Sequence, residues 1–221
     1  MRLALFDLDH TLLSGDSDVL WCEFLMQEGL LERATFGPRN AAMERDYQAG
    51  TVSTDAFCSF YVSTLAGRSP EQWLPWRKRF LEREIIPRIP AAAMQQVRTH
   101  RVAGDTVVLT TATNRLLTEL TAQYLEIEHL IATECELDSQ GVCTGRTQGV
   151  VNMREGKVER LQAWLAQRGT HLAEVDSVSY SDSVNDVPLL CATRRAVAVD
   201  PDAKLAALAT QRGWTVLRWR P

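Results

Sequence analysis

Apolar residues come along this chain in short, nearly unbroken runs: LALF at 3–6, TVVLT at 106–110, VSYS at 178–181, AVAV at 196–199 and WTVLRW at 214–219. The first, second and fourth hardly alternate with polar residues. Alternation marks a strand with one wet face. Its absence predicts strands covered on both faces, as in a parallel sheet between helix layers. Helical spacing fills the stretches between. VERLQAWLAQRG (158–169) is amphipathic and stops at Gly169; DAKLAALATQRG (202–213) stops at Gly213. The C-terminal half therefore reads β-α-β-α-β. The fold class is α/β, with a doubly wound, parallel-sheet, Rossmann-like core.

Residues 15–85 break that alternation and read as consecutive helices, so the division is a core of 1–14 and 86–221 with a helical insertion of 15–85 after the first strand. The first helix runs from Asp16 or Ser17 as cap towards Gly29. Another follows Ser53 and Thr54. A third opens at SPEQ, where Ser69 caps, Pro70 takes the first turn and Gln72 completes a capping box. Pro75 is expected to kink it. Ten of the sixteen aromatic residues lie in this insertion. They serve its own packing, and some are candidates to line a substrate pocket.

Composition narrows the class. Hydrophobic residues are 45% and charged residues 24%, ordinary for a soluble globular protein. A net charge of −4 leaves no general basic field for nucleic acid. No apolar run approaches the ~20 residues that span a bilayer. The first strand begins at once and is cut off by Asp7 and Asp9, so no signal peptide is expected. Five scattered cysteines without a CxxC pair read as free thiols in a reducing cytoplasm.

The chemistry concentrates where the first strand ends, in FDLDHTLL (6–13). Residues two apart on an extended strand share a face. Asp7 and Asp9 therefore point to one side, at the carboxyl edge where open α/β sheets bind ligands. Two close carboxylates raise each other's pKa unless something compensates. A divalent cation can hold one ionised while its neighbour keeps a proton. That division suits a two-step phosphoryl transfer, with one acid as nucleophile and the other as general acid and base. The bland alternative is a pair of turn-capping aspartates.

The whole string resembles the DxDxT motif of the haloacid dehalogenase superfamily, and the likeness extends along the chain. VVLTTAT (107–113) is similar to the second motif, with Thr111 preferred to Thr110 as its phosphate-binding hydroxyl. Lys157, opening a helix in EGKVERL, resembles the third, with Arg154 and Arg160 as rivals. SYSDSVND (179–186) resembles the fourth, although Ser181 and Ser183 replace the usual glycines around Asp182. The resemblance implies Asp7 as nucleophile, Asp9 as general acid/base and Lys157 as the neutralising cation. It implies Mg²⁺ held by Asp7, by the backbone carbonyl of Asp9 and by Asp182, with Asp186 acting through water. Asn185 would reach the substrate phosphate. A hard cation with oxygen donors suits that set.

An insertion between the first two motifs is similar to the cap of the phosphoserine phosphatase branch. There a glutamate meets the substrate amine, and Asp16 occupies its position; a helix N-cap is the equal alternative. The branch's carboxylate-binding arginine has four candidates: Arg33, Arg39, Arg45 and Arg68. The basic run RKRFLER (77–83) reads as a solvated face. The GDSD string at 15–18 resembles a bacterial group acting on histidinol phosphate, which Asp16 with Trp21, Phe24 or Tyr47 would suit. His10 is expected to pack in the loop.

The expected activity is Mg²⁺-dependent hydrolysis of a small phosphorylated metabolite, histidinol phosphate or phosphoserine, through an aspartyl phosphate. The partners expected are that metabolite alone, with no nucleic acid and no membrane, in a monomer or homodimer. The alternatives are a phosphotransferase on the same intermediate and a non-catalytic phosphate- or metal-binding module.

Overall fold

A computed structural model of the chain describes residues 1–219. Seven strands form one sheet: β1 (Arg2–Phe6), β2 (Thr106–Asn114), β3 (His129–Leu137), β4 (Cys143–Gln148), β5 (Asp176–Ser181), β6 (Arg195–Val199) and β7 (Thr215–Leu217). Their order is β4-β3-β2-β1-β5-β6-β7, parallel throughout except for β4, which runs antiparallel to β3. The chain leaves β1 for β2 on one side and later returns to β5 on the other. β1 is thus central, and the crevice beyond its carboxyl end is the switch point of the sheet.

Residues 3–6 of β1 are buried, each against one of two apolar layers. Leu3 and Leu5 face a layer with Val108, Leu161 and Leu165; Ala4 and Phe6 face the layer of Leu109, Val178 and Tyr180. This is why the run shows no alternation: both sides of the pleat are apolar. Each fully buried leucine contributes about 1.5–3 kcal/mol. The strand reaches Asp7 with no slack, and the Asp7 N–H donates to the Tyr180 carbonyl at 3.0 Å.

The first four α-helices after β1 are α1 (Ser17–Gln27), α2 (Arg33–Ala49), α3 (Thr54–Val62) and α4 (Pro70–Phe80). Asp16 caps α1, Ser53 caps α3, and the Ser69–Gln72 capping box opens α4. α4 runs through Pro75 and ends in a π-helical turn over Leu81–Ile85. Further on come α5 (Ala91–Val102), α6 (Arg115–Tyr124), α7 (Glu155–Ala166), α8 (Val187–Ala192) and α9 (Ala203–Arg212). No helix among the described residues is long and apolar enough to cross a membrane.

The helical segment is not packed as a body apart. Trp21, Phe24, Trp73 and Phe80 form one aromatic cluster, and that cluster is continuous with Phe6, Leu109 and Tyr180 of the sheet. Trp21 and Phe24 are fully buried there, so neither faces a cavity as expected. The basic run also differs from expectation at Arg77, which is buried and donates to Glu119 at 2.6 Å. Arg79 and Arg83 both pair with Glu28.

The hairpin of β3 and β4 was not legible in the apolar runs. β4 is an edge strand with a single buried apolar residue, Cys143, and the second half of β3, which pairs with it, carries Thr133, Glu134 and Glu136. Loop residues 67–68 pair with it: Gly67 N–H donates to Cys143 O at 2.9 Å, and Cys143 N–H to Arg68 O at 3.0 Å. At β7 only Thr215–Leu217 of the expected 214–219 is strand.

Candidate active site

The cavity opens at the carboxyl edge of β1, β2 and β5, where Asp7, Asp9, Asp16, Lys157, Asp182 and Asn185 line one narrow cleft. Residues from distant points in sequence meet here because three adjacent strands end together.

Lys157 enters from the first turn of α7. Its Nζ donates to Asp7 Oδ1 at 2.6 Å and to Asp186 Oδ2 at 2.6 Å, and it is 3% exposed. Of the three candidate cations, Lys157 alone pairs with Asp7. Arg160 turns to Glu134 and the Val150 carbonyl. Arg154 donates to Asn185 Oδ1 at 3.2 Å, at the outer rim. Asp186 Oδ2 also accepts from Ser181 Oγ at 2.8 Å. The serine that replaces the first motif glycine thus steadies that carboxylate.

Thr11 ties Asp7 to Asp182. Its Oγ lies 3.2 Å from Asp7 Oδ2 and 3.1 Å from Asp182 Oδ1, and it accepts the Asp182 N–H at 3.0 Å. One hydroxyl proton cannot serve two carboxylates. The pair is therefore short of positive charge. Burial pushes the Asp7 carboxyl up to about 7, with Lys157 opposing the rise and Asp186 and Asp9 adding to it. Burial, then Asp7 and Asp186, holds Asp182 well above the ordinary carboxylate range. For Lys157 burial acts downward, but Asp186 and Asp7 outweigh it and raise the ammonium, so it stays charged. Two buried oxygen donors with a surplus of negative charge fit a hard cation. Mg²⁺ takes one or two carboxylates and fills its other positions with water, so no larger cluster is needed. Among the described residues no group of three His, Cys, Asp or Glu side chains forms one.

Asp9 is held at both oxygens. Oδ1 accepts the Ser17 N–H at 2.7 Å, which anchors it to the start of α1. Oδ2 lies 2.9 Å from Thr113 Oγ and 3.4 Å from Thr111 Oγ. Thr111 is fully buried and turned towards Asp9, while Thr110 faces Asn152. Thr113 reaches Asp9 through an irregularity in β2. Thr111 pairs with Ala132 and Asn114 with Thr133, so Ala112 and Thr113 bulge out of register and line the cavity.

Asp16 is the N-cap of α1 and also stands at the cleft. Its Oδ1 accepts the N–H groups of Asp18 and Val19. Burial, then Asp9, pushes its carboxyl up to about 8. His10 also lines the cleft, in a left-handed backbone conformation (φ 56°), rather than packing away as expected. Tyr47 of α2 stacks on Phe57 with ring centroids 4.4 Å apart and hydrogen-bonds Asn185.

The sequence assigned no site role to Thr11, Ser17, Asp18, Thr113 or Ser181. Thr11 is part of the DxDxT string itself and Asp18 of GDSD, so both had a signal. Thr113 had none, because only the bulge aims it.

Sequence and structure comparisons agree with this geometry. The family model of haloacid dehalogenase-like hydrolases matches residues 4–190, and the chain belongs to that family. Within it, the chain falls among the phosphatases of the phosphoserine-phosphatase-like branch. It is 38% identical over 220 residues to a histidinol-phosphatase of Neisseria meningitidis, covering 99% of each chain. A phosphoserine phosphatase of Mycobacterium tuberculosis is 30% identical over 227 residues, 98% of this chain and 70% of that one. A solved protein of unknown function from Bordetella pertussis superposes with a TM-score of 0.92 at 42% identity, over 98% and 97% of the two chains.

Proposed function

We propose that this chain hydrolyses a small phosphomonoester with Mg²⁺, with Asp7 as the nucleophile. The observation that carries the reading is Asp7 itself, buried at the mouth of β1 between the Lys157 ammonium and the Thr11–Asp182 pair. Asp7, Asp182 and the Asp9 carbonyl would hold the cation, with Asp186 reaching it through water. When bound, Mg²⁺ supplies a positive charge that keeps Asp7 ionised and draws electrons from the phosphoryl oxygens.

Asp7 attacks phosphorus, and the alcohol leaves with a proton from Asp9. Asp9 then takes a proton from the water that cleaves the aspartyl phosphate. Lys157 and Asn185 neutralise and orient the phosphoryl oxygens. The Thr111 hydroxyl is engaged with Asp9 in this arrangement, so its expected contact with phosphate requires it to turn. The helices α1–α4 act as a cap, with Tyr47 of α2 reaching Asn185 across the cleft.

The leaving-group side points to an amine. Asp16, Glu44, Asp200, Asp202 and Tyr47 line the outer cavity, where these acids outnumber its two cations, Arg154 and Lys204. None of Arg33, Arg39, Arg45 and Arg68 lines it; its arginine is Arg154. Arg33 pairs with Glu23, and Arg68 stacks on Trp73. Acids with a flat ring suit an amine beside an imidazole, as in histidinol phosphate. They oppose a substrate carboxylate, as in phosphoserine. The name of the Neisseria relative supports this choice.

A panel of phosphorylated amino alcohols, amino acids and sugars, assayed with Mg²⁺ and with chelator, tests the reading. Histidinol phosphate is expected to exceed phosphoserine in kcat/KM by about tenfold or more. Equal or better turnover of phosphoserine defeats the substrate assignment, and activity unaffected by chelator defeats the role of the cation. Phosphoryl transfer to an alcohol is excluded when turnover in ¹⁸O-water labels the inorganic phosphate.

A further inference from the structure

Three polar side chains converge on Thr113. Its Oγ lies 2.9 Å from Asp9 Oδ2, 3.1 Å from Asp18 Oδ2 and 3.1 Å from Ser17 Oγ. Asp18 stands in the first turn of α1 and is 3% exposed. Nothing in the reaction outlined above uses it.

A threonine hydroxyl owns one proton and two acceptor lone pairs. It can donate to one of the two carboxyl groups, not to both. Asp9 accepts a backbone N–H on its other oxygen, and any proton it carries must go to the leaving alcohol, so its contact with Thr113 is one in which Asp9 accepts. With the Thr113 proton on Asp9, Asp18 can bond to Thr113 only by bringing a proton of its own. The Ser17 hydroxyl then supplies the second incoming bond. Two donors enter Thr113 and one leaves it, and every contact is satisfied. An ionised Asp18 would instead leave two oxygens facing each other with no proton between them, out of reach of solvent.

A second observation points the same way. Asp18 Oδ1 is buried and has no hydrogen-bond partner among the described residues. A neutral carbonyl oxygen tolerates that far better than a charged one. The charged groups that act on Asp18 are Asp16 and Asp9, both of them acids. Burial, then Asp16 and Asp9, holds its carboxyl well above the ordinary range.

We propose that Asp18 is a positioning residue: as a neutral acid it donates to the Thr113 hydroxyl, and so aims that hydroxyl's own proton at Asp9 Oδ2. The consequence is a general acid/base carboxyl fixed in rotamer and in proton partner. The inference rests on the reading of Asp9 as the acid and base of the reaction.

The test is the dependence on leaving group of alcohol release in the first turnover. An alkyl phosphate needs the proton from Asp9, whereas 4-nitrophenyl phosphate leaves without one. Asp18→Leu keeps the volume and removes the donor. It is expected to slow release from the alkyl phosphate about tenfold or more, and from the aryl phosphate by less than about threefold. Thr113→Val is expected to give the same split, and the double variant to be no slower than either single one. Asp18→Asn restores an N–H donor to Thr113 and is expected to stay within about threefold of the parent on both substrates.

Equal slowing of both substrates by Asp18→Leu and Thr113→Val, unrescued in Asp18→Asn, assigns Asp18 to packing and overturns the proposal. So does an unchanged alkyl rate in Asp18→Leu. If Asp18→Leu does not fold, Thr113→Val and Asp18→Asn decide by the same criteria. Asp9→Asn separates the two levels. If it spares the alkyl phosphate, the reading of Asp9 fails. If it slows the alkyl phosphate while Asp18→Leu does not, the inference about Asp18 fails alone.

Discussion

Lys157 and Asp7 are 150 residues apart in sequence, yet both are buried and Lys157 Nζ lies 2.6 Å from Asp7 Oδ1. The same ammonium holds Asp186 at 2.6 Å. One cation therefore faces two buried carboxylates, and the charge left over on Asp7 and Asp182 is what the proposed divalent ion would answer.

Removing that cation should be costly. Lys157→Met strands Asp7 and Asp186 without their partner, and breaking such a buried pair costs about 3–5 kcal/mol. Urea unfolding in chelator should show a loss of that order, along with loss of turnover. Lys157→Arg should not restore activity, because a planar fork cannot reproduce the ammonium's position between two carboxylates.

Asp7→Asn keeps the side-chain volume and removes the charge of the proposed nucleophile. Turnover should fall by about four orders of magnitude or more. The melting temperature should not fall, because one of the crowded buried charges has gone. Phosphatase activity at the parent level with Mg²⁺ present would overturn the mechanism.

The raised carboxyls set a pH signature. Asp7 is pushed to about 7 and Asp16 to about 8, both from 3.8, and Asp182 also stands high. An acid whose folded pKa exceeds its unfolded value binds more protons in the folded state between the two. Stability without metal should therefore fall as pH rises from about 5 to about 8. Thermal melts in chelator should show a drop of roughly 3 °C or more across that window, and Mg²⁺ should raise the melting point more at pH 8 than at pH 5. A melting temperature in chelator that rises between those pH values would sink this account.

Gly156 sets where Lys157 can stand. A Cβ there would lie 2.2 Å from the Val151 carbonyl oxygen, a backbone atom with little freedom to retreat. Gly156→Ala should shift the start of α7 and pull Lys157 from Asp7. Overpacking of this kind costs about 1–3 kcal/mol. Denaturant titration with kcat measurement should show both quantities reduced; unchanged kcat would detach the helix start from the site.

Much of this protein is determined locally, and so was readable in the sequence. LALF is buried on both faces, and Asp7 follows it at the sheet's edge because a strand can end nowhere else in so short a run. The Ser69–Gln72 capping box and the Asp16 N-cap formed as their residue types and spacing require, since each is a contact within one turn of helix. The DxDxT and D-x-x-N-D strings carried the family for the same reason: their spacing is set by backbone geometry over a few residues.

Other features depended on packing between distant segments. Trp21, Phe24 and Tyr47 are all aromatic residues of one helical segment. Only the folded chain sends the first two into the sheet's apolar layer and the third to the cleft. Arg77 lies in a run of charge that reads as solvated, yet it is buried because Glu119 of α6 comes to meet it. Thr113 reaches Asp9 only because β2 loses register with β3 at Ala112, and the proton count that singles out Asp18 exists only around that hydroxyl. Local chemistry thus determined which residues this protein has for its reaction. The tertiary structure decided which of them share a proton, since that depends on ångström distances between strands and helices that no local pattern encodes.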